Sequence, residues 1–320
     1  MAKFLKILTG ICTILLVTAG LWLSRNYSSS LSYDELSEYA FETLILPDGM
    51  QVNYKVEGNL NGPTLVFVHG GGDSIGDWDV WVPALEAQYR IVRFDLPGHG
   101  LTAPLPEEDY GPIRFSVFIK DVIDVLEIND FAIAGHSFGG DSVVRYVLEY
   151  PNDPTAMILV ASGGFRPSVD RISETEKDVL SMAGTWWGEV LFTYIGARSD
   201  MRDGVESYFY DASFNAEAYT DKIWSLQRYS PNRGVTLKLL TYSIDNTPYV
   251  TDLDRITIPS LILWGDKDTI AWPEFADRFQ RELPNSTLRM YEGIGHMLMM
   301  ENRDQSVEDL LQFLNTSIIN

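Results

Sequence analysis

Cysteine is almost missing from this chain of 320 residues: Cys12 is the only one. The folded domain therefore has neither a disulfide nor a cysteine-held metal centre. Histidine is nearly as scarce, at four, which is too few for a histidine-rich metal site. Positive charge is also short, with 24 lysines and arginines against 45 aspartates and glutamates and a formal net charge of −21. Nucleic acids and anionic membrane surfaces are bound by basic patches, so this balance argues against both as partners. It fits solubility in a crowded or salty compartment instead. No internal repeat or low-complexity tract is present. What remains is ordinary for a globular protein, 45% hydrophobic and 22% charged. The length suits one large domain, or a core with an inserted subdomain.

The first 25 residues read as separate from the fold. Lys3 and Lys6 give a basic start, and Ile7 to Leu23 is an uncharged, mostly apolar run. A run of about 17 residues is near the lower limit for a spanning helix and longer than a usual signal core. The expectation is a signal anchor over 1–25, with the flanking lysines in the cytoplasm and the folded domain extracytoplasmic. Removal of the segment at Val17-Thr18-Ala19 would export the protein instead. Membrane contact is expected through this segment only. Residues 26–40, polar and serine-rich, read as a linker.

From Phe41 the pattern is one of strands. Phe41–Leu46, the turn Pro47-Asp48-Gly49 and Gln51–Val56 read as a hairpin. Thr64–Val68 is a continuously apolar, β-branched run, expected of a strand buried on both faces. A helical stretch around Trp81–Ala87 leads to a strand at Tyr89–Phe94, and Phe115–Leu126 carries a one-sided apolar stripe. Strands follow at Phe131–Ala134 and Ala156–Val160. The alternation then stops over 165–249, where aromatics crowd, and resumes at Ile258 with a helix from Pro273, a strand at Thr287–Tyr291 and a helix at Ser306–Leu314. This predicts an α/β core over 41–164 and 250–316, its sheet largely parallel, with an inserted helical cap over 165–249.

The chemistry centres on Gly135-His136-Ser137-Phe138-Gly139, which follows one strand and opens a helix. That context makes it a nucleophile elbow, with small residues two positions either side of a serine in strained backbone. A serine hydroxyl needs a base, and the base needs an orienting acid. His69 and His99 lie in glycine-rich turns before the elbow, and His136 adjoins Ser137 on the other side. His296, in Gly293-Ile294-Gly295-His296, is the histidine after the serine and the expected base. Asp268 and Asp266 both follow the strand ending at Trp264; Asp268 is the expected acid and Asp266 a loop hydrogen-bonder. Backbone N–H groups of Phe138 and Gly71 are expected to hold an oxyanion. Gly72, His136 and the cap residues Trp186 and Trp187 are expected to contact the substrate.

His69-Gly70-Gly71-Gly72, Asp95-Leu96-Pro97-Gly98-His99-Gly100, the elbow, Trp264-Gly265-Asp266-Lys267-Asp268 and Gly293–His296 occur in that order. On these motifs the chain from Phe41 to Leu314 resembles the α/β-hydrolase superfamily, in the branch with a cap after the sixth strand. The resemblance implies an eight-stranded, mostly parallel sheet with helices on both faces. It also implies Ser137 as nucleophile, His296 as base, Asp268 as acid, an oxyanion hole at Gly71 and Phe138, and no cofactor. Relatives acting on epoxides or carbon–halogen bonds carry aspartate where this chain has Ser137. The expected activity is hydrolysis of a small apolar or aromatic carboxylic ester. The alternatives are carbon–carbon bond hydrolysis and ligand reception without turnover. The expected partner is a small-molecule substrate; the sequence leaves the oligomeric state open.

Overall fold

The structure is a computed structural model that describes residues 18, 27–107, 109–165, 181–182, 185–239 and 250–317. Eight strands form one sheet: β1 (Glu42–Ile45), β2 (Gln51–Gly58), β3 (Thr64–Val68), β4 (Arg90–Phe94), β5 (Phe131–His136), β6 (Pro154–Val160), β7 (Ser260–Gly265) and β8 (Ser286–Tyr291). Their spatial order is β1-β2-β4-β3-β5-β6-β7-β8. β2 is antiparallel to β1 and β4, and every pairing from β4 to β8 is parallel. All five residues of β3 and all six of β5 are buried, as continuous apolar runs require when helices cover both faces.

Helices α1 (Val82–Leu85), α2 (Pro112–Val125), α3 (Ser137–Glu149), α7 (Pro273–Glu282), α8 (Leu298–Glu301) and α9 (Arg303–Ser317) belong to the core. The stripe on α2 is the expected one: Phe115, Phe118, Ile119, Val122 and Ile123 are at most 2% exposed. Each such side chain contributes about 1.5–3 kcal/mol by leaving water. The helical stretch read around Trp81 is shorter than expected, being a 3-10 turn (Ile75–Val80) followed by α1. Trp78 and Trp81 pack against Phe67 of β3, and the Trp81 indole donates to Ser306 Oγ at 3.2 Å. Between β6 and β7 lies the helical cap, with α4 (Trp186–Tyr194), α5 (Arg198–Glu206) and α6 (Glu217–Leu226).

Two N-terminal expectations need correction. Among the described residues no helix is long and apolar enough to cross a membrane. Among those residues α9 is the longest helix at 15 residues; it rises about 22 Å, short of the roughly 30 Å hydrocarbon core. The signal anchor, the membrane contact and the extracytoplasmic placement all depend on 1–25, which lies outside the described residues except for Thr18; these expectations are withdrawn. The stretch 26–40 is not a free tether. From Tyr27 onward it lies along the cap: Ser28 N–H donates to the Tyr194 carbonyl at 2.9 Å, and Leu31 and Ser230 bond through their backbones at 2.8 Å. Arg228 Nε donates to the Ser29 carbonyl at 2.8 Å, and Arg233 Nη2 to the Ser28 carbonyl at 2.7 Å. Leu36, 1% exposed, packs with Leu101 and Leu226.

Candidate active site

Parallel strands send the ends of β3, β5, β7 and β8 to one edge of the sheet, where loops can converge. Ser137 stands at the junction of β5 and α3 with φ +51°, a left-handed conformation costly for a residue with a side chain. The flanking glycines have a direct steric reason. A methyl on Gly135 would come within 2.6 Å of the Gly139 carbonyl oxygen, and one on Gly139 would overlap the His69 carbonyl. The elbow, the β3 loop and the start of α3 are thus pressed together. Gly163 N–H donates to the Ser137 carbonyl at 2.7 Å and braces the turn from below. Gly139→Ala is expected to lower stability by about 1–3 kcal/mol, since the new methyl meets rigid backbone. A thermal melt beside the parent chain measures it.

The four histidines separate by their hydrogen bonds. His69 is fully buried; its Nδ1 faces the Gly70 carbonyl at 2.7 Å, and its Nε2 accepts from Leu96 N–H at 2.9 Å. Donor and acceptor are both used, so the ring is neutral, and burial holds its pKa well below the usual range. Burial also pushes His99 down to about 4 and His136 to about 3, the latter helped by His296 beside it. His69 and His99 serve packing, whereas His136 also lines the cavity beside Ser137. His296 differs: its Nδ1 lies 2.8 Å from Asp268 Oδ2, and both side chains are buried. The other Asp268 oxygen accepts from Ile270 N–H at 2.8 Å and Ala271 N–H at 2.9 Å, which fixes the carboxylate plane. Asp266 instead accepts from Gly293 N–H at 2.6 Å and pairs with Lys267, so it closes the loop beside the histidine.

Ser137 and His296 line one cavity of about 180 Å³, with Gly71, Gly72, His136 and Phe138 on its core side. Phe138 is in the first turn of α3, where backbone N–H groups have no partner within the helix and the helix dipole favours negative charge. Gly71 faces Phe138, since a methyl there would sit 3.4 Å from Phe138 Cβ and 2.8 Å from Leu239. Gly72 has φ +80°, a turn that glycine adopts without strain. Trp186 and Trp187 are not at the cavity. They are 79% and 46% exposed at the start of α4, whose buried residue is Gly188. The glycine face packs inward, so the two indoles turn to solvent.

Several residues at the site were not anticipated. The cap closes the cavity with Tyr208, Tyr219, Ile223 and Leu239. The Tyr208 carbonyl accepts from His296 N–H at 2.8 Å, so the cap itself holds the histidine loop. Glu301 bridges the same parts, accepting from Gly295 N–H at 2.6 Å and Asp211 N–H at 2.5 Å. Asp73, after the triple glycine, meets Tyr219 and Lys222 of α6. The signal for α6 was in the sequence: Tyr219, Lys222, Ile223 and Leu226 repeat at helical spacing.

A family model described as alpha/beta hydrolase fold matches residues 63–303. The non-heme chloroperoxidase of Streptomyces lividans is 27% identical over 286 residues, covering 86% of this chain and 99% of that protein. Lipase 1 of Psychrobacter immobilis is 24% identical over 292 residues, covering 87% and 84%. Among solved structures, the meta-cleavage product hydrolase CumD of Pseudomonas fluorescens IP01 superposes with a TM-score of 0.73 at 22% identity, covering 87% of this chain and 99% of that one. At that identity the likeness is one of fold.

Proposed function

We propose that this chain, which belongs to the α/β-hydrolase fold family, breaks a bond beside a substrate carbonyl by nucleophilic attack of Ser137. The chain is a hydrolase of that superfamily with a nucleophile-based mechanism. One observation carries the assignment of roles: a serine held at φ +51° shares a cavity with a histidine whose other nitrogen is hydrogen-bonded to a buried carboxylate. In this reading His296 takes the Ser137 proton, Asp268 orients the imidazole and steadies its charge, and the Phe138 and Gly71 N–H groups receive the oxyanion. His296 then returns the proton to the leaving group, and water releases the acyl group by the same steps in reverse.

Two scissile bonds fit this chemistry, the C–O bond of an ester and the C–C bond of a diketone. The likenesses support the second better, since CumD is named as a meta-cleavage product hydrolase. The first is supported by Lipase 1 among the relatives and by esterases among the solved structures of the same fold. A fluorophosphonate probe, p-nitrophenyl esters of increasing length and a vinylogous diketone acid, each tested beside Ser137→Ala, decide between them. Labelling at Ser137 is expected, with turnover of the diketone exceeding that of the esters. Faster ester turnover would restore the ester reading, and a folded sample that neither labels nor turns over would reject both.

A further inference from the structure

A small group of charged side chains is buried beside the cavity without belonging to the triad. Asp73 follows directly on Gly70-Gly71-Gly72 and is 6% exposed; Asp77, four residues on, is fully buried. Lys222 of cap helix α6 reaches down between them, with Nζ 3.1 Å from a carboxylate oxygen of each. Tyr219, one turn earlier on the same helix, donates its hydroxyl to the second Asp73 oxygen. Asp73 also accepts from Ser74 N–H at 2.9 Å. At the end of α6, Gln227 Nε2 approaches the Gly72 carbonyl at 3.4 Å. One face of one cap helix therefore holds the glycine loop at Gly72 and at Asp73.

The charges make this arrangement conditional. A carboxylate withdrawn from water is costly unless paired and hydrogen-bonded. Two of them side by side with one ammonium are tolerated only while that ammonium is present. Burial, and next the neighbouring Asp73, push the Asp77 carboxyl well above the usual carboxylate range. The two aspartates raise Lys222 in turn, against the pull of burial. With α6 withdrawn, Asp73 and Asp77 would repel and turn toward water, taking the loop with them. Gly71 lies two residues from Asp73, so the position of its N–H depends on where Asp73 is held.

We propose that Asp73, gripped by Tyr219 and Lys222, is a positioning residue that sets the oxyanion loop only when the cap is docked. The cap thus completes the site as well as enclosing it. This rests on the serine-hydrolase reading above, with Gly71 as an oxyanion donor.

The test compares Asp73→Asn, Lys222→Met and Lys222→Arg with the parent chain, reading kcat, KM and the affinity of a trifluoromethyl ketone that places an oxyanion in the hole. Removing one oxyanion donor costs about 10²–10³ in kcat; displacing one is expected to cost roughly 10- to 100-fold. Asp73→Asn and Lys222→Met should both show that loss at near-constant KM, with ketone affinity falling in parallel and Lys222→Arg recovering most of it. If Lys222→Met does not fold, the charge-matched Lys222→Met/Asp77→Asn variant takes its place. Unchanged kcat, or a KM effect alone with ketone affinity intact, would overturn the proposal and leave these residues as packing or substrate contacts. Failure of the parent chain to label or turn over would instead reject the serine-hydrolase reading, so the two failures are distinct.

Discussion

Ser137→Ala is expected to lower kcat by about 10⁴-fold or more while leaving the melting temperature nearly unchanged. The loss is expected to be large because, in the proposed mechanism, the oxygen removed is the one that bonds to substrate, and alanine offers no substitute. The stability expectation follows from the backbone. Alanine at this position would occupy the same φ of +51° as serine, and so keeps the same strain. Ser137→Gly should lose the same activity yet gain roughly 1 kcal/mol, since glycine adopts that conformation freely. The pair of melts separates strain at the elbow from the role of the hydroxyl. Undiminished turnover of any substrate by Ser137→Ala would reject Ser137 as the nucleophile.

The elbow was legible in the sequence because its constraint is local. Gly135 and Gly139 press on each other and on the loop after β3, and two close-packed glycines around one serine leave a readable spacing. The alternation of strands and helices was legible for a similar reason: β3 and β5 are buried on both faces, so their residues are apolar throughout. The cap was harder. An aromatic on a cap helix can face the cavity, as Tyr219 does, or solvent, as Trp186 does. Composition is the same in both cases; in α4 the buried residue is Gly188 and the tryptophans beside it are exposed. The contacts of Lys222 with Asp73 and Asp77 span 149 and 145 residues of chain, and no local pattern announces a pair that far apart. The stretch 26–40 reads as a linker because short polar residues suit one, and the same residues suit the backbone bonding of Ser28 and Ser29 to Arg233 and Arg228.

Asp268→Asn is expected to lower kcat by on the order of 10⁴-fold with the fold retained. Asp268 has two separable duties. One oxygen accepts from Ile270 and Ala271 N–H groups, and asparagine can keep those bonds with its carbonyl oxygen. The other faces His296 Nδ1 at 2.8 Å, where asparagine would present an N–H. Two donors cannot share that bond, so the imidazole would place its proton on Nε2 and aim no lone pair at Ser137. The change is therefore one of tautomer, without collapse of the loop. Asp266→Asn is the matched control, since Asp266 closes the same loop through Gly293 N–H and an exposed pairing with Lys267. An exposed pair of that kind contributes little, so kcat should stay within about threefold. Rates for the two variants, read beside circular dichroism spectra that report the fold, measure this difference. A collapse in rate at Asp266→Asn with Asp268→Asn nearly intact would move the orienting acid to Asp266. The structure argues for the opposite order, because of the two carboxylates it is Asp268 that is hydrogen-bonded to the imidazole.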